Sequence, residues 1–144
     1  MEKRIENLAG LEQEAVEFVA ELKSQERATL VTLSGELGAG KTTFSQAIAR
    51  ALGVTDTVTS PTFVLEKIYQ LPKSALFKRL IHIDAYRLQD GAELEALAFT
   101  DFMSNPENII LLEWPERVAS VLPAPTVSIS LLVNEDNSRT LIYA

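Results

Sequence analysis

The 144-residue chain contains no cysteine, and it has only one histidine and one tryptophan. Without cysteine there is no disulfide framework, and the amino-terminal residues lack the apolar core of a signal peptide, so nothing indicates export. No apolar run approaches the roughly 20 residues of a transmembrane helix. We therefore expect a soluble, cytoplasmic protein that has no membrane partner.

Basic residues are fewer than acidic ones, with 13 Lys and Arg against 20 Asp and Glu, and the formal net charge is −7. Sequence-independent binding of nucleic-acid phosphates depends on clustered Lys and Arg, so we do not expect it to be the main activity. The one basic cluster, Lys73, Lys78 and Arg79, fits a solvated loop or a partner-facing patch better than an RNA contact. The length predicts a single domain over residues 1–144.

One motif stands out in this ordinary composition. The run Gly35–Thr42, Gly-Glu-Leu-Gly-Ala-Gly-Lys-Thr, fits the phosphate-loop (Walker A) pattern G-x-x-x-x-G-K-[ST] at every fixed position. The apolar, β-branched run 28–33 before it is typical of a strand, and apolar residues recur at helical spacing over 44–52 behind it. Strand, loop and helix are the context that the motif requires, so the sequence predicts a nucleoside triphosphate-binding site.

The residue types of the loop suit phosphate chemistry. Glycine permits the unusual backbone conformations that bring N–H groups close to phosphate oxygens, and the following helix presents its positive dipole end to the same anion. Lys41 is expected to reach the β- and γ-phosphates, and the Thr42 hydroxyl is expected to ligate Mg²⁺. A nucleoside triphosphate and Mg²⁺ are therefore the predicted ligands of the loop.

The remaining segments alternate between helix and strand patterns. They predict an amphipathic helix over 11–24, extended chain over 57–69 with a break at Pro61, strands over 80–84 and 108–113, a helix start at 90–93, and final strands over 126–133 and 138–143. We expect an α/β protein with a three-layer P-loop NTPase-like fold. Its sheet is predicted to be mostly parallel, flanked by helices and closed by a carboxy-terminal antiparallel hairpin.

Polar residues at strand ends are candidates for completing the site, because nucleotides bind at the carboxyl ends of parallel strands. Glu113 ends the most hydrophobic strand and is placed to hold Mg²⁺, and Asp84 ends another strand as a second carboxylate. His82 should share a face with Asp84, where it orients that acid, contacts a nucleotide-bound water or is structural. Arg87 either offsets phosphate charge or forms a surface salt bridge.

Two further features each have two interpretations. The segment Ser60–Thr62 places hydroxyls around a rigid proline, and it either responds to the γ-phosphate or simply enters a strand. Trp114, next to Glu113, either packs beside the nucleotide or caps the core.

Four segments in series resemble the TsaE (YjeE) family of bacterial ATPases: the loop 35–44, Thr59–Phe63, His82–Leu88 and Leu112–Glu116. The resemblance implies participation in the threonylcarbamoyladenosine modification of tRNA, at the adenosine that follows the anticodon. In that family the ATPase does not perform the carbamoyl transfer but joins a TsaD–TsaB complex that does. ATP binding and hydrolysis then sustain repeated turnover, and the tRNA is contacted only through the partners.

The resemblance also assigns residues. It implies that the catalytic residues are Lys41, Asp84 and Glu113, and that Thr42 and Glu113 are the metal ligands. With the motif itself, it gives the following set of nucleotide contacts: Gly35, Glu36, Leu37, Gly38, Ala39, Gly40, Lys41, Thr42, Thr43, Ser60, Thr62 and Trp114.

Other functions stay open on sequence grounds. A small-molecule kinase of the phosphate-loop class would need an acceptor pocket and usually an Arg-bearing lid, whereas the arginines here are scattered. A guanine-specific GTPase is disfavoured because the chain has no Asn-Lys-x-Asp run. A nucleotide-dependent binding module, in which hydrolysis is incidental, is the third possibility. Alone, the protein is expected to be a monomer or a weak oligomer.

Overall fold

The computed structural model describes residues 1–55, 66–72, 74 and 76–144. The segment Ser60–Thr62, most of the predicted extended chain over 57–69, and Lys73 of the basic cluster lie outside the described residues. None of the helices in the described ranges is long and apolar enough to cross a membrane.

Within these ranges the chain forms seven strands and four α-helices, and a short 3₁₀ helix, Pro115–Val118, follows the fifth strand. In chain order the elements are β1 (Glu2–Ile5), α1 (Leu8–Glu21), β2 (Thr29–Gly35), α2 (Lys41–Ala51), β3 (Glu66–Gln70), β4 (Arg79–Asp84), α3 (Gly91–Glu95), α4 (Phe99–Met103), β5 (Asn108–Glu113), β6 (Val127–Val133) and β7 (Arg139–Tyr143).

All of these strands belong to one mixed sheet with the order β1-β7-β6-β2-β5-β4-β3. The central strands are parallel: β2 pairs in parallel with β5 and β6, and β4 pairs in parallel with β5. The outer pairs β1–β7, β6–β7 and β3–β4 are antiparallel. The prediction of a mostly parallel sheet is therefore confirmed only for the four central strands, and three of the six strand pairs are antiparallel.

Two of the three antiparallel pairs, β3–β4 and β6–β7, follow from the lengths of the connections. A parallel pair needs a crossover of a dozen or more residues, whereas a short connection joins antiparallel neighbours. Only residues 134–138 separate β6 from β7, as the predicted carboxy-terminal hairpin requires, and only residues 71–78 separate β3 from β4. Each end of the sheet thus contains a hairpin, to which β1 is added at one edge by pairing with β7, while the crossovers pass over the middle of the sheet.

The core lies in two layers, one on each face of the sheet, because alternate side chains of a strand point to opposite faces. Val31 and Leu33 of β2 pack in the cluster that contains Phe44 and Ile48 of α2. Leu30 packs in the other cluster, which contains apolar residues of α3 and α4. All six residues of β5 are buried, as expected for a strand covered on both faces. Helices therefore cover both sides of the parallel centre.

Two helix ends show why the chain changes direction where it does. Asn7 caps α1, since its Oδ1 accepts a hydrogen bond from the Gly10 N–H at 2.8 Å, and the helix consequently begins before the predicted residue 11. Gly53, with a φ of 100°, ends α2 as its sequence position predicts, and its N–H donates to the Arg50 carbonyl at 3.0 Å.

A buried acid fastens the amino-terminal elements to the last strand. Glu14 of α1 is only 6% exposed. It accepts a 2.6 Å hydrogen bond from the Tyr143 hydroxyl of β7, and the Lys3 ammonium of β1 lies 3.1 Å away. Burial, followed by the hydrogen bond to Glu14, raises the pKa of Tyr143. The first two elements of the chain and its last strand thus share one polar contact.

Replacing Tyr143 by phenylalanine should lower the free energy of unfolding by about 2 kcal/mol at pH 7, because the Glu14 carboxylate loses a charge-assisted hydrogen bond. Since the pKa of Tyr143 is raised in the folded protein, its contribution is fully present below the ordinary tyrosine pKa of about 10 and is lost as the pH rises above it. Urea unfolding of wild type and variant from pH 7 to 11 should show the difference narrowing. Tyr86→Phe, at an exposed ring, is the control, and a difference that does not depend on pH would contradict the assignment.

Candidate nucleotide-binding site

The loop between β2 and α2 has a backbone that demands glycine at two of its positions. Gly35 has a φ of 149°, and a Cβ added there would lie 2.6 Å from the carbonyl oxygen of Leu131. Gly40, the residue that caps α2, has a φ of 105°. Both conformations are ones that residues with side chains rarely adopt. The loop that the motif predicts therefore forms at the carboxyl end of a central parallel strand.

Lys41 begins α2 and turns its ammonium group back into the loop. Its Nζ donates hydrogen bonds to the carbonyl oxygens of Gly35 at 2.6 Å and Glu36 at 2.9 Å, and it lies 4.0 Å from the ring centroid of Trp114. Burial lowers the pKa of Lys41, although the nearby carboxylates, chiefly Glu113, oppose that effect. A buried ammonium held by neutral carbonyls is a site that an anion such as phosphate would fit, because charged acceptors make stronger hydrogen bonds.

Glu113 is held on both of its carboxylate oxygens. The Thr42 hydroxyl donates to Oε1 at 2.9 Å, and His82 Nε2 lies 2.6 Å from Oε2. The side chains of His82 and Glu113 are 1% and 2% exposed. The parallel registers bring these groups together, because Glu113 of β5 lies beside Leu33 of β2 and beside Asp84 of β4. The second strand-end acid is thus fixed next to the loop threonine.

Asp84 occupies the same edge of the sheet in a partly exposed position. It accepts a hydrogen bond from the Tyr86 N–H at 3.0 Å. Burial raises the pKa of Asp84, the Tyr86 N–H lowers it, and the neighbouring Glu113 raises it further. The two carboxylates face a cavity of about 330 Å³, whose lining residues are Leu37, Gly38, Gly40, Lys41, Thr42, Thr43, Asp84, Tyr86, Arg87, Glu113 and Trp114.

A second cavity of about 220 Å³ adjoins the first, and Gly40 and Thr43 line both. Its other lining residues come from the amino-terminal region, the loop and the last hairpin: Ile5, Glu6, Asn7, Leu8, Leu11, Ala39, Leu131, Asn137 and Arg139. Arg139 secures this wall, because its Nε donates to the Ala39 carbonyl at 3.1 Å. The two cavities together extend from the acids to the amino-terminal end of α1.

The structure brings together the loop residues, Asp84, Glu113 and Trp114, while Ser60 and Thr62 lie outside the described residues. It differs from the sequence interpretation at His82, whose partner is Glu113 on the neighbouring strand and not Asp84 on its own. Sequence reasoning missed the second cavity, including Arg139. Its wall comes from three distant parts of the chain, and no local pattern marks them as neighbours.

No group of three or more His, Asp or Glu side chains that could hold a metal ion occurs among the described residues. Mg²⁺ is commonly held by one or two protein oxygens together with phosphate oxygens and water. The Thr42 hydroxyl and the Glu113 carboxylate are a hard-oxygen pair of this kind, so the residues present fit Mg²⁺ that arrives with a polyphosphate.

The fold and the loop define a mixed α/β protein with a phosphate-loop motif at the edge of its central strands. Comparison with known proteins is more specific. The model of the family "Threonylcarbamoyl adenosine biosynthesis protein TsaE" matches residues 9–141. The chain therefore belongs to the TsaE family.

Individual relatives agree with this family assignment. The chain is 35% identical to the tRNA threonylcarbamoyladenosine biosynthesis protein TsaE of Haemophilus influenzae over 111 residues, which are 77% of this chain and 67% of the relative. It is 37% identical to the protein of the same name from Treponema pallidum over 119 residues, 83% of this chain and 84% of the relative. The crystal structure of Bacillus subtilis YdiB superposes with a TM-score of 0.79 at 26% identity, covering 99% of this chain and 83% of that chain.

Replacing His82 by leucine should destabilise the fold by about 3 kcal/mol, because the buried Glu113 carboxyl group loses its closest partner. His82→Gln, which keeps a side-chain N–H donor, should lower the free energy of unfolding by less than half as much. Urea unfolding monitored by circular dichroism measures both values. A leucine variant as stable as wild type would show that the imidazole contributes nothing to holding Glu113.

Proposed function

We propose that this protein is an ATP-binding and ATP-hydrolysing subunit that supports the threonylcarbamoyladenosine modification of tRNA. The observation that carries the proposal is the juxtaposition of the buried Lys41 ammonium with the Thr42–Glu113 pair, inside a loop that fits the phosphate-loop motif. The names of the curated relatives, which are tRNA threonylcarbamoyladenosine biosynthesis proteins, supply the pathway. In this proposal residues 1–144 form a single domain of the P-loop NTPase-like class, with helices, sheet and helices as its three layers.

The two adjoining cavities support a nucleoside triphosphate as the ligand. The cavity with Lys41 and the two acids suits the phosphates and the metal, and loop N–H groups and the α2 amino terminus favour negative charge there. The second cavity starts at Gly40 and Thr43 and is lined by apolar side chains such as Leu8 and Leu131, with Arg139 at its wall. An apolar cavity with a few polar groups suits a nucleoside.

Hydrolysis in this site would be mostly electrostatic. Lys41 and the loop amides would stabilise charge on the transferred phosphoryl group, and Thr42 and Glu113 would hold Mg²⁺. Mg²⁺, when bound, neutralises charge that develops on the phosphate oxygens. Asp84, which lines the same cavity, is the residue proposed to orient the attacking water, whose oxygen bonds to the γ-phosphorus as the bond to ADP breaks. His82 keeps the Glu113 carboxylate in place.

The proposed partner is a TsaD–TsaB complex, and tRNA would be contacted through it. The net charge of −7 supports this division of labour, because a protein that grips RNA by its phosphates needs clustered positive charge. The cytoplasm, where tRNA is modified, is the proposed location, and a monomer or weak oligomer is the proposed state of the isolated protein.

The experiment that tests the proposal is ATP hydrolysis by the purified protein, alone and with a matched TsaD–TsaB complex and tRNA. We expect slow hydrolysis alone and a rise with the complex, both abolished by Lys41→Ala. Lys23→Ala, which removes an exposed lysine outside the site, is the matched control and should behave as wild type. ATP binding without any turnover would favour the nucleotide-dependent binding module, and equal hydrolysis by wild type and Lys41→Ala would refute the proposal.

Substitutions of Asp84 and Glu113 should impair ATP hydrolysis in different ways. Asp84→Asn should lower kcat by about 100-fold while ATP affinity is kept, because water loses its orienting carboxylate. Glu113→Gln should raise the Mg²⁺ concentration needed for half-maximal ATP binding, because the metal loses a charged ligand. Titrations of Mg²⁺ and ATP separate the two effects. Full hydrolysis by both variants at saturating Mg²⁺ would show that neither acid has the role proposed for it.

A further inference from the structure

Four side chains form a continuous stack from the loop to the surface, which we name the cation–aromatic ladder: Lys41, Trp114, Tyr86 and Arg117. The Lys41 Nζ lies 4.0 Å from the Trp114 ring centroid. The Trp114 and Tyr86 ring centroids are 4.9 Å apart with an interplanar angle of 49°, and the Arg117 Cζ lies 5.2 Å from the Tyr86 ring centroid. Each separation falls within the range in which cations and aromatic rings attract one another.

The backbone at Trp114 is held in a conformation that aims the indole at the loop. Trp114 has φ and ψ of 63° and 54°, a left-handed conformation that is costly for a residue with a side chain. Its N–H donates to the Leu33 carbonyl of β2 at 3.1 Å, and its carbonyl accepts from the Arg117 N–H at 3.1 Å. The chain therefore turns sharply after Glu113, and the turn lays the ring over Lys41.

The outer half of the ladder is exposed but anchored. Tyr86 is 40% exposed, and its N–H donates to the Asp84 carboxylate at 3.0 Å. Arg117 is exposed on the 3₁₀ helix that begins directly after Trp114. Tyr86 thus packs against the indole, and Arg117, from a different segment of the chain, packs on the ring of Tyr86.

We propose that Tyr86 and Arg117 are positioning residues that hold the Trp114 indole against the Lys41 ammonium, and so place this lysine for the phosphates of a bound nucleotide. The inference rests on the proposed function for the identity of the ligand. A desolvated ammonium over an indole face is stabilised without a competing anion, so the lysine stays in the loop and is available when a polyphosphate arrives. Without the side chains of Tyr86 and Arg117, the indole is held less firmly and the Lys41 ammonium is less well placed.

Trp114 is the only tryptophan of the chain, so intrinsic fluorescence reports directly on the ladder. The experiment compares wild type with Tyr86→Leu, Tyr86→Phe and Arg117→Gln, and Arg50→Gln, an exposed arginine near the far end of α2, is the control. Acrylamide quenching of Trp114 in the nucleotide-free protein measures how well the indole is covered. Titrations with ATP and with inorganic tripolyphosphate measure binding, and circular dichroism verifies that each variant is folded.

We expect Tyr86→Leu to make Trp114 clearly more accessible to acrylamide. The substitution should weaken the binding of ATP and of tripolyphosphate by the same factor, between about 2- and 10-fold, as the loss of an aromatic contact implies. Tyr86→Phe keeps the ring and should restore both properties. Arg117→Gln should have a smaller effect in the same direction, and Arg50→Gln should have none.

Unchanged quenching and unchanged affinities in Tyr86→Leu would overturn the proposal. So would weaker binding of ATP with unchanged binding of tripolyphosphate, because Tyr86 would then act on the nucleoside and not through Lys41. If wild type bound neither ligand, the proposed function would fail. Quenching of the nucleotide-free variants would still decide whether the ladder holds the indole: added exposure in Tyr86→Leu supports it, and equal exposure overturns it.

Discussion

The carboxylate of Glu113, held between the Thr42 hydroxyl and the His82 ring, is the contact on which the arrangement of this site depends. A carboxyl group that is almost completely buried is tolerated only when its oxygens are hydrogen-bonded, so both partners have to be in place. Those partners come from α2 and β4, while Glu113 ends β5. One polar contact therefore ties the helix that follows the loop to two of the parallel strands, and it fixes the loop threonine relative to the acid.

The loop is supported from the other side by the carboxy-terminal hairpin. The Leu131 carbonyl of β6 lies too close to Gly35 to leave room for a side chain there. On the same side, Arg139 of β7 donates a hydrogen bond to the Ala39 carbonyl of the loop. The antiparallel end of the sheet is therefore part of the site's wall, although the loop itself begins at a parallel strand. Within the described part of the chain, the Lys41 ammonium contacts loop carbonyls and the Trp114 ring and forms no direct ion pair, an arrangement that attracts an anion.

The elements that could be predicted from the sequence are those with a local residue pattern. The loop motif, the largely apolar β5, the Asp90–Glu93 helix start and the final hairpin all have patterns contained in one short, contiguous stretch of sequence. β1 could not be found this way, because Glu2–Ile5 is a charged stretch that becomes a strand only through pairing with β7 at the other end of the chain. The same limit applies to the site. The sequence pattern places His82 beside Asp84 on its own strand, and only the register of β4 against β5 shows that its ring reaches Glu113.

A crystal structure of the protein with Mg²⁺ and a non-hydrolysable ATP analogue would show how the site holds its ligand. We expect the Lys41 ammonium to leave the Gly35 and Glu36 carbonyls for phosphate oxygens, the metal to lie at Thr42 and Glu113, and the nucleoside to occupy the cavity beside Arg139. A triphosphate bound elsewhere, or a Lys41 still bonded to the loop carbonyls with the analogue present, would contradict this expectation.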